Sequence, residues 1–405
     1  MAWSKQEQLH ILILNPFPFP YGMASTNRLI SYAQGLASFS NRVEILCLKP
    51  GENPSKIVNK EVQGKFGDLN FRYVTGSTIR PKSLIKRISI RLLSFIGTIF
   101  YIISLNRKNR INTIITFPSS FLFIFIIFLI SRILKIKLVH ERSEYPFITQ
   151  KNTFLFRLNL FIYLHFSCKL YDAFVVITKA LETYFYHYKS SKAKTFILPI
   201  LVEPERFSDC NTPSPIQGEY IGYCGSMEGN KDGISDLIEA FHLIASGYPD
   251  LKLVLIGDKS FKDFANLEND IRAKNLSERI IFTGQIERDD LPAFLYNAKL
   301  LVLARPDNKQ SEGGFPTKLG EYLATGKPVV ITRVGEIPLY LKDGVNGFIA
   351  EPGNSEDFAR KMNEVLQDYA NSIKIGKCGQ KLTFSSFNYL EQSKKLMQFL
   401  KELAR

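Results

Sequence analysis

Short, β-rich and largely apolar runs alternate along this chain with longer stretches whose apolar positions recur every three to four residues. In the first half the runs fall at 10–14, 42–48, 113–116, 137–140 and 174–177. In the second they fall at 220–224, 252–257, 280–282, 300–303 and 329–331. Residues 26–39, between the first two runs, carry helical spacing. Continuous apolar strands separated by helices imply parallel sheets covered on both faces. The pattern therefore predicts an α/β protein with two tandem Rossmann-like doubly wound domains, of residues 1–200 and 201–384. The stretch between them, 198–215, is rich in proline and polar residues, and 387–405 is an amphipathic, basic helix pattern.

Two apolar stretches raise the question of a membrane span. Residues 121–130 are wholly apolar, but Ser119-Ser120 precede them and Ser131-Arg132 follow. That is short of the roughly 18 apolar residues a span needs. Residues 94–105 are similar in length and close on Arg107, Lys108 and Arg110. Both suit helices packed on a sheet or dipping into an interface. No signal peptide is expected, because the polar start leads into a run broken by Pro16, Pro18 and Pro20.

Charge changes the picture of the first half. Residues 1–200 hold 27 Lys and Arg against 9 Asp and Glu, whereas the remainder holds 25 against 29. Such asymmetry suggests an anionic partner for the first half. Its many Phe, Tyr, Leu and Ile residues favour an anionic membrane surface, with a merely basic surface as the alternative. No nucleic-acid module is recognisable, so no nucleic-acid partner is expected. Cysteines 47, 168, 210, 224 and 378 are scattered without metal-ligand spacing, which argues for a reducing compartment. The expected location is cytoplasmic, peripheral to the inner face of the cell membrane.

The candidate chemistry concentrates in 311–330, which reads as a glycine loop, a short helix and a buried strand. Gly313 and Gly314 are expected to take unusual dihedrals and to approach a ligand closely. Pro316 suits the first helical position, and Gly326 with Pro328 ends the helix. The helix N-terminus, at Gly314, Phe315, Pro316 and Thr317, directs free N–H groups at whatever lies over the glycines. Lys318 adds a positive charge, and Glu321 is placed to accept hydrogen bonds from vicinal hydroxyls. An anion site beside a diol acceptor describes a nucleoside diphosphate, against the alternative of a capped surface helix. A second glycine turn, Gly225-Ser226, follows the strand 220–224, with Lys231 as a candidate phosphate contact or a solvated loop lysine. Gly257 and Thr283-Gly284-Gln285-Ile286 end the next strands. Arg305 ends the strand before the key loop, where it contacts phosphate or acceptor, or pairs with Asp307 or Glu312.

These residues resemble the donor-site motif of the retaining GT-B glycosyltransferases, especially glycosyltransferase family 4. The resemblance implies that the two domains face a cleft and that a helix at 385–405 returns to the first domain. It implies that Glu321 binds the ribose of a UDP- or GDP-linked sugar and that Lys231 carries the diphosphate charge. Gly257 and Ile286 would lie on the base side, and Gly22, after the first strand, beside the phosphates. His140, or Ser143 if the alignment slips, would contact the donor sugar. The chain departs from the family at two points. Gly313 stands where the first acid is usual, with Glu312 one residue early, and Ser226 replaces a common Arg. No Asp-x-Asp pair is present, and neither a metal nor a cofactor is expected.

On this reading the catalytic residues are His140 and Lys231. The function is transfer of a sugar, with retention, to a lipid-linked or polysaccharide acceptor in cell-surface polysaccharide biosynthesis. A GT-B sugar epimerase and a non-catalytic nucleotide-sugar-binding subunit of a membrane complex are the alternatives. A nicotinamide oxidoreductase is disfavoured, since neither domain has Gly-x-Gly-x-x-Gly after its first strand.

Overall fold

The computed structural model describes residues 8–55, 57–148, 153–207, 212–227, 231–261 and 263–405. The chain divides into two units, Met1–Leu201 with Tyr389–Arg405, and Val202–Asn388.

The first unit runs β1 (His10–Asn15), α1 (Ala24–Ser38), β2 (Arg42–Cys47), β3 (Gln63–Phe66), β4 (Leu69–Tyr73), α2 (Leu84–Lys108), β5 (Thr113–Thr116), α3 (Phe121–Ile133), β6 (Lys137–Arg142), α4 (Phe154–His165), β7 (Ala173–Val176), α5 (Lys179–Tyr186) and β8 (Lys194–Ile197). Its eight-stranded sheet has the order β3-β4-β2-β1-β5-β6-β7-β8, parallel throughout except for β3. The central strands β1 and β5 are buried along their whole length, which is why they read as continuous apolar runs. Edge pair β3 and β4 turns at Gly67, and β4 alternates buried and exposed residues, so it lacks the apolar run that marks the others. The helix expected around 94–105 extends over 84–108, because Lys86, Arg87 and Arg91 interrupt its apolar pattern without ending it.

The second unit runs β9 (Tyr220–Cys224), α6 (Ile234–Ala245), β10 (Lys252–Ile256), α7 (Phe264–Ala273), β11 (Ile280–Gly284), α8 (Leu291–Tyr296), β12 (Leu300–Leu303), α9 (Lys309–Gly313), α10 (Thr317–Ala324), β13 (Val329–Thr332), α11 (Ile337–Tyr340), β14 (Phe348–Ala350), α12 (Ser355–Gln367) and α13 (Tyr369–Ser385). Its six strands are all parallel, in the order β11-β10-β9-β12-β13-β14. The final helix, α14 (Tyr389–Ala404), belongs to the first unit, where it packs on α1. Leu396, Met397 and Leu400 join that unit's core. Both sheets have the doubly wound α/β character that the sequence pattern predicts.

Candidate functional site

In open parallel sheets ligands bind outside the carboxyl ends of the strands, where the strand order reverses. In the second unit this point is β9, which lies between β10 and β12. The crevice is therefore framed by the chain leaving β9 at Gly225 and the chain leaving β12 at Ala304.

Helix α10 is docked against the end of β9 by a buried tyrosine. The Cys224 N–H donates to the Tyr322 hydroxyl at 2.6 Å, and that hydroxyl donates to the Cys224 carbonyl at 3.3 Å. One residue on, the Gly225 N–H donates to the Ile256 carbonyl at 2.8 Å. Gly257 has φ +155°, and a Cβ there would lie 2.1 Å from the Gly225 carbonyl oxygen. The ends of β9 and β10 meet this closely because Gly257 has no side chain. Gly326 closes α10 with φ +70° and an N–H to the Leu323 carbonyl at 3.0 Å, a left-handed stop of the expected kind.

Lys318, on the first turn of α10, folds over this glycine turn. Its ammonium bonds the Asp232 carboxylate and lies 4.9 Å from the centre of the Tyr223 ring. A Cβ on Gly225 would fall 1.8 Å from it, which places the Lys318 head group on the turn itself. Asp232 is 3% exposed and shared: the Tyr223 hydroxyl donates to it at 2.8 Å, and Arg305 Nε stands 3.8 Å away. The Tyr223 hydroxyl also approaches the Ser226 carbonyl at 2.9 Å. Burial alone would raise the Asp232 carboxyl, but Lys318 and then Arg305 outweigh it and hold it below its ordinary value. Lys318 and Arg305 thus both stand against the one carboxylate of Asp232 at the end of β9.

Glu321 lies one turn beyond Lys318 on the same helix, partly buried. Burial raises its carboxyl above the ordinary value, with Arg206, Arg288 and Lys318 pulling against that shift. Arg206 donates to the Arg288 carbonyl at 2.7 Å, and Arg288 pairs with Glu203 at 3.0 Å. Among the described residues, none gives Glu321 a hydrogen bond or an ion pair, so its oxygens are open to a ligand.

The structure departs from the sequence reading at several positions. Gly313 ends the short helix α9, and Gly314 is extended at φ −103°, so neither adopts a glycine-specific backbone. Asn308 caps α9 by accepting the Ser311 N–H at 2.9 Å, which orders the loop without them. Pro316 caps α10 from outside, and Thr317 is its first residue. The Phe315 ring is buried against Tyr340 and Phe387 at 5.4 and 5.8 Å, so only its backbone is free to meet a ligand. Arg305 is buried beside Asp232, while Glu312 pairs with Lys309 at 2.6 Å.

His140 is the largest correction. It is 0% exposed, with Nδ1 3.1 Å from the Thr116 carbonyl and Nε2 2.6 Å from the Tyr163 hydroxyl. Its ring stacks on Tyr171 at 4.4 Å. Burial, reinforced by Arg142, pushes its pKa well below the usual histidine value. With both nitrogens engaged, the ring is held inside the first unit rather than at an exposed strand end. Gly22, also in the first unit, sits in an exposed turn before α1; a Cβ there would lie 2.2 Å from Thr26 Oγ1, which donates to the Pro18 carbonyl at 2.9 Å.

Lys231 is half-buried next to Asp232, and Ile286 lies partly exposed beyond β11. Glu228, Gly229 and Asn230 of the same loop lie outside the described residues, as do Cys210 and residues 1–7. Among the described residues no group of His, Cys, Asp and Glu is arranged to hold a metal ion. Sequence reasoning missed Asp232, Tyr223, Tyr322, Arg206 and Arg288. Asp232 adjoins Lys231 and Tyr322 adjoins Glu321, but their partners lie 86 and 98 positions away, beyond any local signal.

Residues 218–368, which contain this crevice, match the family model of the glycosyl transferases group 1. The fold of the chain is that of glycosyltransferase structures. It is similar to sucrose-phosphate synthase from Thermosynechococcus elongatus, with a TM-score of 0.74 at 16% identity, over 98% of this chain and 99% of that one. It is also similar to Anabaena HepE, solved with UDP and glucose, with a TM-score of 0.70 at 16% identity, over 98% and 100% of the two chains. Among curated proteins, an uncharacterized glycosyltransferase of Methanocaldococcus jannaschii is 31% identical over 151 residues, 37% of this chain and 39% of its own. N-acetyl-alpha-D-glucosaminyl L-malate synthase of Bacillus anthracis is 27% identical over 154 residues, 38% of each chain. The matched part thus spans about two fifths of the length of these curated relatives.

Proposed function

We propose that this protein is a glycosyltransferase that moves a sugar from a nucleoside diphosphate donor to a lipid-linked or polysaccharide acceptor in cell-surface polysaccharide biosynthesis. The observation that carries the reading is the pairing on one helix of Lys318, set on the Gly225 turn, with Glu321, an unclaimed carboxylate one turn away. Departure of the diphosphate from the anomeric carbon builds negative charge on its oxygens. Lys318, Lys231 and the N-terminus of α10 stabilise that charge, with Asp232 holding the Lys318 head group on the turn. Glu321 accepts hydrogen bonds from the ribose hydroxyls, and Gly257 and Ile286 border the base. On this reading the donor is UDP- or GDP-linked and the leaving phosphate takes the acceptor proton. Transfer then proceeds with retention, as in glycosyltransferase family 4, without a metal or a protein nucleophile. HepE was solved with UDP and glucose, and a curated relative from Salmonella typhimurium is a lipopolysaccharide 1,2-N-acetylglucosaminetransferase, which supports this substrate class. The scattered cysteines suit work in the cytoplasm.

The test is a thermal-shift panel of UDP, GDP, ADP, CMP and NAD on wild type and Glu321→Ala without added metal. One diphosphate nucleotide is expected to stabilise the wild type and not the variant. A shift with NAD alone, or with no nucleotide, refutes the proposal.

A further inference from the structure

Three helices of the first unit carry apolar faces that the unit itself does not cover. On α2, Ile85, Ile88, Leu92, Ile96 and Phe100 are 42–77% exposed and recur at the spacing of one helix face. On α3 the same spacing links exposed Leu122, Phe125, Leu129 and Ile133, and on α4 it links Phe154, Leu158 and Phe161. These helices are neighbours: α3 packs on both α2 and α4, and the Phe95 and Phe123 rings meet at 6.1 Å. The faces therefore belong to one surface, larger than the isolated apolar residues any soluble protein shows.

Helix α2 is long and apolar enough to cross a bilayer. Its other face, however, is committed to the protein. Ser94, Thr98, Ile102 and Leu105 are buried, and the Ser94 hydroxyl donates to the Leu48 carbonyl. The helix thus lies lengthwise on the unit and presents a stripe rather than a span.

Charge identifies what covers the stripe. No Asp or Glu occurs between Asp68 and Glu141, an interval that holds twelve Lys and Arg. Exposed Arg80, Lys82, Lys86 and Arg91 border one end of α2, and Arg107, Lys108 and Arg110 the other. A second copy of this chain would bring two such cationic faces together, whereas an anionic bilayer offers acyl chains to the stripe and phosphates to its borders. We propose that α2, α3 and α4 form a docking surface that lies in the plane of an anionic lipid interface, with the apolar stripe among the outer acyl segments. This surface does not depend on the donor-site reading.

The test is sedimentation of the full chain with phosphatidylglycerol–phosphatidylcholine vesicles and with phosphatidylcholine vesicles alone. Wild type is expected to partition onto the anionic vesicles about tenfold or more better than onto neutral ones, with added salt eroding the difference. Ile88→Glu/Leu92→Glu/Ile96→Glu is expected to lose on the order of tenfold or more of that binding. Lys82→Gln/Lys86→Gln/Arg91→Gln, which leaves the apolar stripe intact, is expected to lose the preference for anionic lipid. Thermal response to nucleotides, read on the same variants, reports separately on the donor site. Equal binding to neutral vesicles, or full binding by the Glu variant, overturns the proposal. So does a lipid-free dimer that the Glu substitutions dissolve.

Discussion

Lys318 and Asp232 stand 86 positions apart in the sequence, and the ammonium of one is bonded to the carboxylate of the other at the carboxyl end of β9. The contact ties the first turn of α10 to the loop before α6. Asp232 also faces Arg305, whose Nε stands 3.8 Å away.

Removing one partner strands a buried charge. Lys318→Met is expected to lower stability by about 2–4 kcal/mol, in the range for breaking a partly buried pair. Combined with Asp232→Asn, urea denaturation should return a coupling of about 1.5–3 kcal/mol in a double-mutant cycle. Additive single effects would show that the two side chains do not act as a pair.

Glu321 is predicted to oppose stability while serving binding. Burial raises its folded-state pKa, so its favourable contribution is complete below the unfolded carboxyl value and declines as pH rises through the folded one. At neutral pH, Glu321→Gln should therefore raise stability by about 0.5–1 kcal/mol. Glu321→Ala should weaken nucleotide binding by about 1.5–3 kcal/mol, as for lost hydrogen bonds to a charged group. Denaturation at pH 5 and pH 8, with calorimetric titration of nucleotide, checks both, and an unchanged affinity in the folded variant removes the ribose assignment.

His140 is predicted to matter for folding and not for binding. Replacing it with Ala removes a buried ring and leaves the Tyr163 hydroxyl without its 2.6 Å partner. The expected cost is about 2–4 kcal/mol of stability. Nucleotide affinity should stay at the wild-type value. Because burial keeps the imidazole neutral, its ring protons should show no titration by NMR across the ordinary histidine range. A titration step there, or a variant of normal stability that has lost turnover, would restore it to the site.

Two glycines with positive φ should differ sharply in tolerance. Gly257→Ala drives a Cβ toward the Gly225 carbonyl, 2.1 Å away, and is expected to cost about 2–4 kcal/mol. Gly344 has φ +67° with nothing within 4 Å of its Cβ position, so Gly344→Ala should cost only about 1 kcal/mol. Melting temperatures of the two variants separate steric contact from backbone preference.

The strands at the centre of each sheet were legible because burial on both faces writes an unbroken apolar run into the sequence. Residues 220–224 and 300–303 are β9 and β12 to the residue. Strands toward the sheet margins were less legible: β4, beside the edge strand β3, alternates, the outer strand β8 is only partly buried, and β14 has three residues, although β11 at the other edge was marked by 280–282. The helix carrying Glu321 was readable from its Gly326 stop, but the loop before it was misjudged, because Asn308 and not the two glycines shapes it.

Taken alone, the sequence determined where the central strands fall, that Lys318 and Glu321 share a helix, and that positive charge gathers in the first half. Each of these depends on spacing along the chain or on simple counts, which folding does not change. The tertiary structure decided the partners and the exposures. It gave Arg305 to Asp232, closed His140 between Thr116 and Tyr163, buried the Phe315 ring, left Glu321 open and turned the stripe of α2 outward. Ion pairing and burial are set by distances between segments far apart in sequence, and those distances come into being when the sheets assemble.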